Sequence, residues 1–466
     1  MEQEETNMLK KEKSEALTKE FNKYFPGGHS NLRIPMDVTE HRLFISKSDG
    51  THLTDVDGNE YIEYNGSMGP NILGHKNPNF VKKIVEYIEN NGTAIGSNLL
   101  FSPMDVEVAK RLCELIPCIE EVKFTVTGSE AVQAAFRIMR AYTGKNVIVR
   151  FQGNYAGWGD NVLGGRINSD ADAQVPYTDF SIHGGPDEDP YYTEGRNPLA
   201  CRETIMIPWN DFDILEETFD KYHDIIAGIH FEGIVWNHEG LYPKPGFVEK
   251  IRELCTKYNI VMCMDEVITG FRVNIGGAQT VLGVTPDLCT MGKAMSNGIP
   301  VSCVGGKKKI MDCIRGNKVL VPGTYPGYGL GMAAVLATLD ELTKDNCAVY
   351  DRVFKVQEKI MNGLVEISNK YGISLTITEA NGVFDTIFGV PGGRRRLYTE
   401  EDLKGFDKNI VNNFQRYMQE NGVFLMFGGR WYVNASHTMQ DAEKTLEAAD
   451  KAMKSLKEND YKYVTK

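Results

Sequence analysis

The stretch Val122-Lys-Phe-Thr-Val-Thr-Gly-Ser-Glu-Ala131 joins a short apolar run to a Gly-Ser turn. After the turn, apolar residues recur at the spacing of one helix face, at Val132, Ala135, Phe136 and Met139. The pattern predicts a buried strand that feeds an amphipathic helix. The free N–H groups that open such a helix attract an anion, and the Ser129 hydroxyl can add to them. An ordinary N-cap, with Ser129 as the capping residue, is the alternative interpretation.

Short apolar runs and helical patterns alternate on both sides of this stretch. Two of the helical patterns cover Asp105–Ile116 and Gly246–Tyr258. This alternation predicts βαβ units and a mostly parallel, buried sheet. The apolar runs are Asn146-Val-Ile-Val-Arg150, Ile226–Phe231, Ile260–Met264, Leu288–Met291 and Ser302–Gly305.

Different patterns flank this region. Strand-like alternation before residue 76, with the turn residues Asp57-Gly58, predicts a β-hairpin. A long helical pattern runs through Met332–Tyr371, and shorter strand-like and helical segments follow it. We therefore predict an α/β protein in three regions. Residues 1–75 form an N-terminal arm and part of a small domain, 76–331 form a large domain, and 332–466 form a C-terminal small domain of α+β type.

Composition limits the possible functions. The chain has 466 residues, 42% of them apolar, which is enough for a large core. Lys plus Arg number 51 and Asp plus Glu number 63, and the resulting net charge of −12 disfavours broad contact with nucleic acid. The nine cysteines are scattered without a C-x-x-C pair, so we expect reduced thiols and a cytoplasmic location. Because we find no secretory signal and no long apolar run, we expect no membrane association.

Two more strand ends carry charged residues. Asp265 follows the apolar run Ile260–Met264, and ligands of open α/β sheets bind at the carboxyl ends of strands. Lys293 follows the next run, 293 − 265 = 28 residues later, about one strand-helix-strand step. A buried carboxylate can pair with a protonated ring nitrogen, and a desolvated lysine can act as a nucleophile. Taken singly, a surface acidic pair and a solvated lysine are the alternatives.

Together, a phosphate cradle, a carboxylate and a lysine at successive strand ends suit one cofactor, pyridoxal 5′-phosphate. This cofactor carries a phosphate, a pyridine nitrogen and an aldehyde that condenses with lysine. The sequence therefore predicts a pyridoxal-phosphate site. The histidines His230 and His238 have no spacing typical of metal ligands, so we expect no metal site.

The chain also resembles a known family from about Pro26 to Ala452, through a series of ordered motifs. These motifs are Pro26-Gly-Gly, Gly66-Ser-Met-Gly-Pro-Asn-Ile-Leu-Gly-His75, Thr127-Gly-Ser-Glu-Ala, Tyr155-Ala-Gly, Pro243-Lys-Pro-Gly-Phe, Asp265-Glu-Val-Ile-Thr-Gly-Phe-Arg272, Gly276-Gly-Ala-Gln279, Thr285-Pro-Asp-Leu, Met291-Gly-Lys293, Gly323-Thr324 and Ser436-His-Thr. In them the chain is similar to the class III aminotransferase group of fold-type I pyridoxal-phosphate enzymes. Within that group it most resembles glutamate-1-semialdehyde 2,1-aminomutases and β-amino-acid aminotransferases. The resemblance implies a large domain with a mostly parallel seven-stranded sheet, a smaller α+β domain and a homodimer.

The resemblance implies roles for individual residues in the cofactor site. Lys293 would hold the cofactor covalently and shuttle a proton, and Asp265 would pair with the ring nitrogen. The other predicted cofactor residues are Gly128 and Ser129 on the phosphate, Tyr155 and Val267 on the two ring faces, Asn237 near the ring hydroxyl, and Thr324, which would reach the phosphate of the neighbouring subunit. For Tyr155 and Val267, a plain core role is the alternative.

Departures from the family pattern fall on the substrate side. Ser67-Met-Gly69 replaces an aromatic wall of the aminomutases, and Ala156 replaces a histidine after the stacking tyrosine. Gly428-Gly-Arg-Trp431 stands where aminomutases carry a carboxylate, and β-amino-acid aminotransferases have a similar arginine there. Arginine binds carboxylates as a two-pronged fork. The predicted substrate residues are therefore Arg33, Ser67, Met68 and Arg430, with surface salt bridges as the alternative for the two arginines and a solvated loop predicted for Arg394-Arg-Arg396.

These residues predict a pyridoxal-phosphate-dependent aminotransferase. It would move an amino group between a carboxylate-bearing amino compound, such as a β-amino acid, and a keto acceptor. An intramolecular aminomutase and a racemase or epimerase are the enzymatic alternatives, and a cofactor-binding protein without turnover is the non-enzymatic one. The predicted partners are two small molecules and a second copy of the chain.

Overall fold

The computed structural model describes residues 9–26, 42–92, 100–163, 195, 197, 200 and 204–459. The strands in this part of the chain are β1 Ile45–Asp49, β2 His52–Asp55, β3 Glu60–Glu63, β4 Glu121–Thr125, β5 Val147–Phe151, β6 Thr204–Ile207, β7 Ile226–Glu232, β8 Val261–Glu266, β9 Leu288–Met291, β10 Ser302–Gly306, β11 Leu375–Ala380, β12 Val383–Phe388, β13 Gly393–Arg394, β14 Val423–Phe424 and β15 Arg430–Tyr432.

Helices separate most of these strands. They are α1 Glu12–Tyr24, α2 Pro78–Asn91, α3 Pro103–Leu115, α4 Gly128–Thr143, α5 Phe212–Tyr222, α6 Phe247–Lys257, α7 Ala278–Leu282, α8 Lys308–Met311, α9 Gly329–Cys347, α10 Val349–Tyr371, α11 Lys408–Glu420 and α12 Met439–Asn459. The predicted helices at 105–116 and 246–258 correspond to α3 and α6.

Residues 78–349 and 396–400 form one compact unit around a seven-stranded sheet. The strand order is β4-β10-β9-β8-β7-β5-β6, and β10 runs antiparallel to both of its neighbours while the other pairs are parallel. Strands β5, β7, β8 and β9 are buried along their whole length, as expected for a sheet covered on both faces. The predicted fold class is confirmed.

The register of this sheet fixes which side chains meet at its carboxyl edge. Glu232 at the end of β7 pairs with Asp265 near the end of β8, and Asp265 pairs in turn with Thr290 on β9. The polypeptide leaves β9 at Met291, two residues before Lys293. Glu232, Asp265 and Lys293 therefore lie at or just after the carboxyl ends of three neighbouring strands. An open α/β sheet binds its ligand at these ends.

Helix α4 covers the sheet with one apolar face, which includes Val132, Phe136 and Met139. It ends at Gly144, whose φ of 70° lies in the left-handed region that glycine adopts without strain. The predicted strand-turn-helix unit is thus present, with its turn at the carboxyl edge.

Residues 1–77, 350–395 and 401–466 belong to a second compact unit, of which the structure describes the parts given above. Its described strands form two four-stranded sheets, β1-β2-β3-β14 and β13-β11-β12-β15, and α10, α11 and α12 belong to the same unit. The hairpin predicted at Asp57-Gly58 joins β2 to β3, with Gly58 at a φ of 88°. This unit is the smaller α+β domain that the sequence predicts.

The hairpin turn also holds the N-terminal helix. Asp57 accepts hydrogen bonds from the backbone N–H groups of Lys13 (2.7 Å) and Ser14 (2.9 Å) and from the Ser14 hydroxyl (2.5 Å). Lys11, the residue before α1, contributes no side-chain cap. A carboxylate from the turn therefore satisfies the open N–H groups at the start of α1.

We expect Asp57→Ala to loosen α1 by about 1 kcal/mol, the usual cost of losing an N-cap. Amide hydrogen exchange at Lys13 and Ser14 should speed up by roughly fivefold on this basis. Asp49→Ala removes an exposed carboxylate from β1 and serves as the control. Equal exchange rates in the two variants would show that α1 does not depend on the turn.

The two units divide the chain at residues 77/78 and 349/350. The prediction places these boundaries at 75/76 and 331/332, so the second differs by 349 − 331 = 18 residues. The reason is α9, which stays with the large unit through hydrogen bonds such as that from Arg111 to Thr343 (3.0 Å). The predicted continuous helical pattern then breaks, because Asp345 and Asn346 adopt left-handed φ angles of 49° and 54°.

The cysteines in the described part of the chain are all free. No described helix has the length and apolarity needed to cross a membrane.

Candidate active site

The turn before α4 is capped by Thr127. The Thr127 hydroxyl accepts the N–H of Glu130 (3.2 Å), and the Glu130 carboxylate accepts the N–H groups of Thr127 (3.2 Å) and Val126 (2.7 Å). This reciprocal arrangement is a capping box. The alternative in which Ser129 is the cap is therefore wrong. Within the described residues, the Ser129 hydroxyl has no hydrogen-bond partner, and it lies in the first turn where a phosphate would bind.

Close packing leaves no room for larger residues around this turn. A Cβ atom on Gly128 would lie 3.3 Å from both methyl groups of Val267. A Cβ atom on Gly157, whose φ is 104°, would lie 2.6 Å from the Ser129 Oγ. The start of α4, the loop after β8 and the loop after β5 therefore meet at one point, as the predicted roles of Gly128, Ser129 and Val267 require.

Asp265 is buried, with 6% of its surface exposed. Its Oδ1 accepts the N–H of Val267 (2.8 Å), and its Oδ2 lies 3.3 Å from Nε2 of His230. Burial and the charge of Asp265 raise the pKa of the Tyr155 hydroxyl, so that side chain lies within the field of the carboxylate. Tyr155 is 44% exposed, which leaves part of its ring accessible to a ligand.

Lys293 opens a short 3₁₀ turn, Lys293–Ser296, directly after β9. Its φ of 47° lies in the left-handed region, which residues other than glycine adopt infrequently. The side chain is half-buried, and its ammonium forms no ion pair or hydrogen bond with the described residues. A half-buried cation without a partner at this edge is available for a ligand.

Glu232 is a site residue that the sequence reasoning missed. It is 4% exposed, and its Oε1 accepts the backbone N–H of Tyr155 (2.9 Å) and the side-chain amide of Asn237 (2.8 Å). The backbone nitrogen of Asn237 lies 3.3 Å from Oε2 of Glu232. Asn237 is therefore bound to Glu232, and both Asn237 and Tyr155 depend on this carboxyl for their positions. The available signal was the one used for Asp265: a carboxylate at the end of a buried strand.

Burial, together with the charge of Asp265, raises the pKa of Glu232 to about 7. A raised carboxyl pKa means that the folded state binds more protons than the unfolded state between pH 4.5 and 7, so stability falls as the pH rises through that window. We expect Glu232→Gln to stabilise the cofactor-free protein by about 2 kcal/mol at pH 8 and by little at pH 4.5, since one pKa unit corresponds to about 1.4 kcal/mol.

Urea unfolding at both pH values checks this prediction. Glu249→Gln, which removes an exposed carboxylate from α6, is the matched control and should leave the pH dependence unchanged. A Glu232→Gln protein that loses stability in parallel with the wild type from pH 4.5 to 8 would contradict the assignment.

Ser67 and Met68 lie in a tight turn of the second unit. Both have left-handed φ angles, 56° and 68°. The Glu63 carboxylate holds the turn by accepting the N–H groups of Asn65 (2.8 Å) and Gly66 (2.7 Å) and by contacting Nε2 of His75 (3.0 Å). The motifs around His75 and Ser436 also meet, because the Ser436 hydroxyl donates to the carbonyl of Leu73 (2.8 Å).

Arg430 differs from its predicted role. Its Nε and terminal nitrogen donate to the two oxygens of Asp385 at 2.9 and 2.8 Å, and the side chains are only 11% and 1% exposed. Although burial opposes the charged form, the Asp385 carboxylate raises the pKa of Arg430 above its ordinary value. The fork predicted for a substrate carboxylate is therefore engaged by a carboxylate of the same unit, on the neighbouring strand.

The remaining predicted residues are Arg33, Thr324 and the Arg394-Arg-Arg396 loop. Arg33 lies outside the described residues. Thr324 is exposed in a loop before α9. In the predicted solvated loop, Arg394 contacts Glu379 (2.7 Å) and Arg395 contacts Asp402 (3.1 Å).

Comparison with known proteins identifies the family. The model of the class-III aminotransferase family matches residues 34–442. The chain is a class-III aminotransferase by family. Glutamate-1-semialdehyde 2,1-aminomutase 2 of Brevibacillus brevis is 35% identical over 451 residues, which cover 96% of this chain and 99% of that protein. The aminomutase of Persephonella marina is 34% identical and covers 96% of this chain and 100% of its own length.

Solved structures agree on the fold of this class-III aminotransferase. An omega-transaminase from Sphaerobacter thermophilus superimposes with a TM-score of 0.82 at 24% identity, covering 95% of this chain and 97% of that one. A β-phenylalanine aminotransferase from Variovorax paradoxus gives a TM-score of 0.79 at 20% identity, with coverages of 96% and 95%. At this level of identity the likeness shows the fold alone.

A class-III aminotransferase is a pyridoxal-phosphate-dependent enzyme, and the residues present fit that cofactor. The Ser129 hydroxyl at a helix start suits a phosphate, buried Asp265 suits a protonated ring nitrogen, and Lys293 suits an aldehyde. Neither Ser129 nor Lys293 has a side-chain partner in the part of the chain that the structure describes. The predicted cofactor, enzyme class and family are confirmed.

Proposed function

We propose that this class-III aminotransferase transfers an amino group from a carboxylate-bearing amino compound to a keto acceptor, with Lys293 as its catalytic base. The observation that supports the proposal is that Asp265 lies near the end of β8 and Lys293 lies two residues after the end of the adjacent parallel strand β9. When bound, pyridoxal phosphate supplies a ring that accepts the electron pair released at the substrate carbon.

The chain's own residues divide the remaining work. Lys293 Nζ takes the proton from the substrate carbon and returns it during transfer. Asp265 holds the ring nitrogen in its protonated form. Ser129 and the N–H groups at the start of α4 hold the phosphate, while Tyr155 and Val267 hold the ring between them. Glu232 holds Asn237, which would lie near the ring hydroxyl.

We propose that the substrate carries a carboxylate and that Arg33, and not Arg430, binds this group. Since Arg430 is engaged with Asp385, an incoming carboxylate would have to displace an ion pair that is almost fully buried. The proposal keeps Ser67 and Met68 as substrate residues, because a small and a flexible side chain in place of an aromatic one would suit a β-amino acid. Arg33→Ala should then raise KM for carboxylate substrates more than kcat falls.

A half-reaction screen tests the proposed transfer. Amino compounds, including β-amino acids, are added to the protein loaded with pyridoxal phosphate, and loss of the visible cofactor band is followed together with appearance of a keto product. Conversion with release of a keto product supports transfer between two molecules. If no amine among α-, β- and ω-amino compounds discharges the band, the proposal is wrong.

An intramolecular aminomutase is the second candidate, because the curated relatives described above carry that name at up to 35% identity. Mass spectrometry separates the two functions. An aminomutase converts a single substrate to an isomer of the same mass without any acceptor, whereas an aminotransferase stops after one turnover unless an acceptor is added.

We also propose that the protein is a cytoplasmic homodimer in which Thr324 contacts the phosphate in the neighbouring subunit. In support, two large apolar side chains close to Thr324 in the sequence are exposed, Leu320 with an exposed fraction of 57% and Tyr325 with 64%. Phe101, elsewhere on the large unit, is 80% exposed, and exposed apolar side chains of this size are typical of interaction surfaces. If Thr324 acts across the dimer, mixing Lys293→Ala and Thr324→Ala subunits restores one intact site per mixed dimer. Activity no greater than the sum of the two variants would contradict this.

A further inference from the structure

A buried histidine lies beside Asp265 and has no part in the roles described so far. His230 is on β7, two residues before Glu232, so both side chains point to the same face of the sheet. It is 1% exposed, and its Nε2 lies 3.3 Å from Oδ2 of Asp265. Its register partner on β8 is Cys263, so it approaches Asp265 diagonally across the two strands.

Within the described residues, this nitrogen has an ionic contact with Asp265 and an aromatic neighbour beside its ring. Phe136 of α4 packs edge-on against the imidazole at 5.4 Å between ring centres. Among the described residues, Nε2 of His230 makes no aligned hydrogen bond, and Asp265 is the acidic group near it. A buried nitrogen without a hydrogen bond is unfavourable, and a small rotation of the carboxylate would align the pair. Catalytic hydrogen bonds are often misaligned without ligand and tighten in the complex.

We propose that His230 is a positioning residue that donates from Nε2 to Oδ2 of Asp265 and so keeps this carboxylate aimed at the cofactor's ring nitrogen. The backbone N–H of Val267 already fixes Oδ1, and His230 fixes the other oxygen. This inference rests on the proposed function, because Asp265 must face the ring nitrogen.

The groups around Asp265 explain why a hydrogen-bond donor is needed at this carboxylate. Glu232 is the register partner of Asp265 on β7, and two buried neighbouring carboxylates do not both ionise readily. The other titratable groups whose electrostatics involve Asp265 are Tyr155 and Cys263, and both are neutral at pH 7. Because His230 contacts Asp265, the two carboxyl groups have different surroundings.

The test compares two ligands that differ at one atom: pyridoxal phosphate and its deaza analogue, in which CH replaces the ring nitrogen. Both dissociation constants are measured by fluorescence titration of the cofactor-free protein. We expect His230→Leu to weaken pyridoxal phosphate about tenfold more than the analogue, as for loss of one hydrogen bond to a charged group. His230→Gln keeps a side-chain donor and should retain most of the discrimination. Cys263→Ala, at the register partner, is the control and should change neither constant selectively.

Equal weakening of both ligands by His230→Leu would overturn the inference, because a packing role does not distinguish the ring nitrogen. Asp265→Ala distinguishes a wrong role for Asp265 from a wrong role for His230. If it leaves the discrimination intact, the proposed role of Asp265 itself is wrong. If it removes the discrimination while His230→Leu does not, only the inference about His230 fails. Should His230→Leu not fold, ¹⁵N NMR of the wild type decides, since a His230 ring that carries its proton only on Nδ1 would exclude the donor role.

Discussion

Lys293→Ala is expected to reduce turnover of every amine donor by at least about 10³-fold, because a positioned acid–base group typically contributes 10²–10⁴-fold and the proposed mechanism also assigns this residue to holding the cofactor. Its ammonium has no partner among the described residues, so the substitution leaves no carboxylate unpaired. The unfolding midpoint of the cofactor-free protein should therefore change little. This combination of a large kinetic effect and a small stability effect is typical of a catalytic residue and not of a structural one.

Two measurements check this expectation. Steady-state assays give the loss in kcat, and borohydride treatment followed by mass spectrometry shows whether the cofactor becomes fixed to the chain. Lys309→Ala removes an exposed lysine from α8 and is the control, with normal turnover and normal fixation. Fixation of the cofactor to the Lys293→Ala protein at another lysine, with activity preserved, would remove Lys293 from its role.

Asp385→Ala is expected to destabilise the protein by about 3–5 kcal/mol, because it leaves the Arg430 guanidinium buried without its bidentate partner. Arg430→Ala should cost a similar amount for the converse reason. The two residues face each other across β12 and β15, so their effects should not add. We expect the double variant to be destabilised by less than the sum of the single variants, with a difference of about 1–3 kcal/mol.

Denaturant unfolding of the four proteins gives this cycle directly, and KM for carboxylate substrates measured on the same samples adds the functional comparison. Arg395→Ala removes a more exposed arginine from the same unit and serves as the control. An Arg430→Ala protein of normal stability but with a strongly raised KM would restore the original prediction that Arg430 binds the substrate.

Local patterns were sufficient for much of the fold and for part of the site. The apolar runs that end at Asp265 and at Lys293 predict buried strands, and parallel strands bring their carboxyl ends together whatever the chain does between them. The strand-turn-helix unit at Gly128 was equally readable. Its cap was misjudged by two residues because Thr127 and Ser129 are both good N-caps, and only the bond to Glu130 distinguishes them.

Contacts between distant segments were not readable in this way. Asp385 and Arg430 are 45 residues apart on different strands, and neither hydrophobic periodicity nor turn chemistry pairs them. The sequence shows that Glu232 follows an apolar run, but its pairing with Asp265 depends on the register of β7 and β8, which only the assembled sheet provides. The break between α9 and α10 depends on two left-handed residues in a sequence that otherwise has helical character.

Ser67 and Met68, which we propose to contact the substrate, lie in a left-handed turn, and this limits which substitutions can be used to alter the substrate range by design. Residues with a positive φ are readily replaced by Gly, Asn or Asp, whereas β-branched replacements such as Val or Ile are strongly disfavoured there. A mutagenesis library at these two positions should therefore omit Val, Ile and Thr. Its members would otherwise lose the shape of the turn, and a failed variant would reveal nothing about substrate preference.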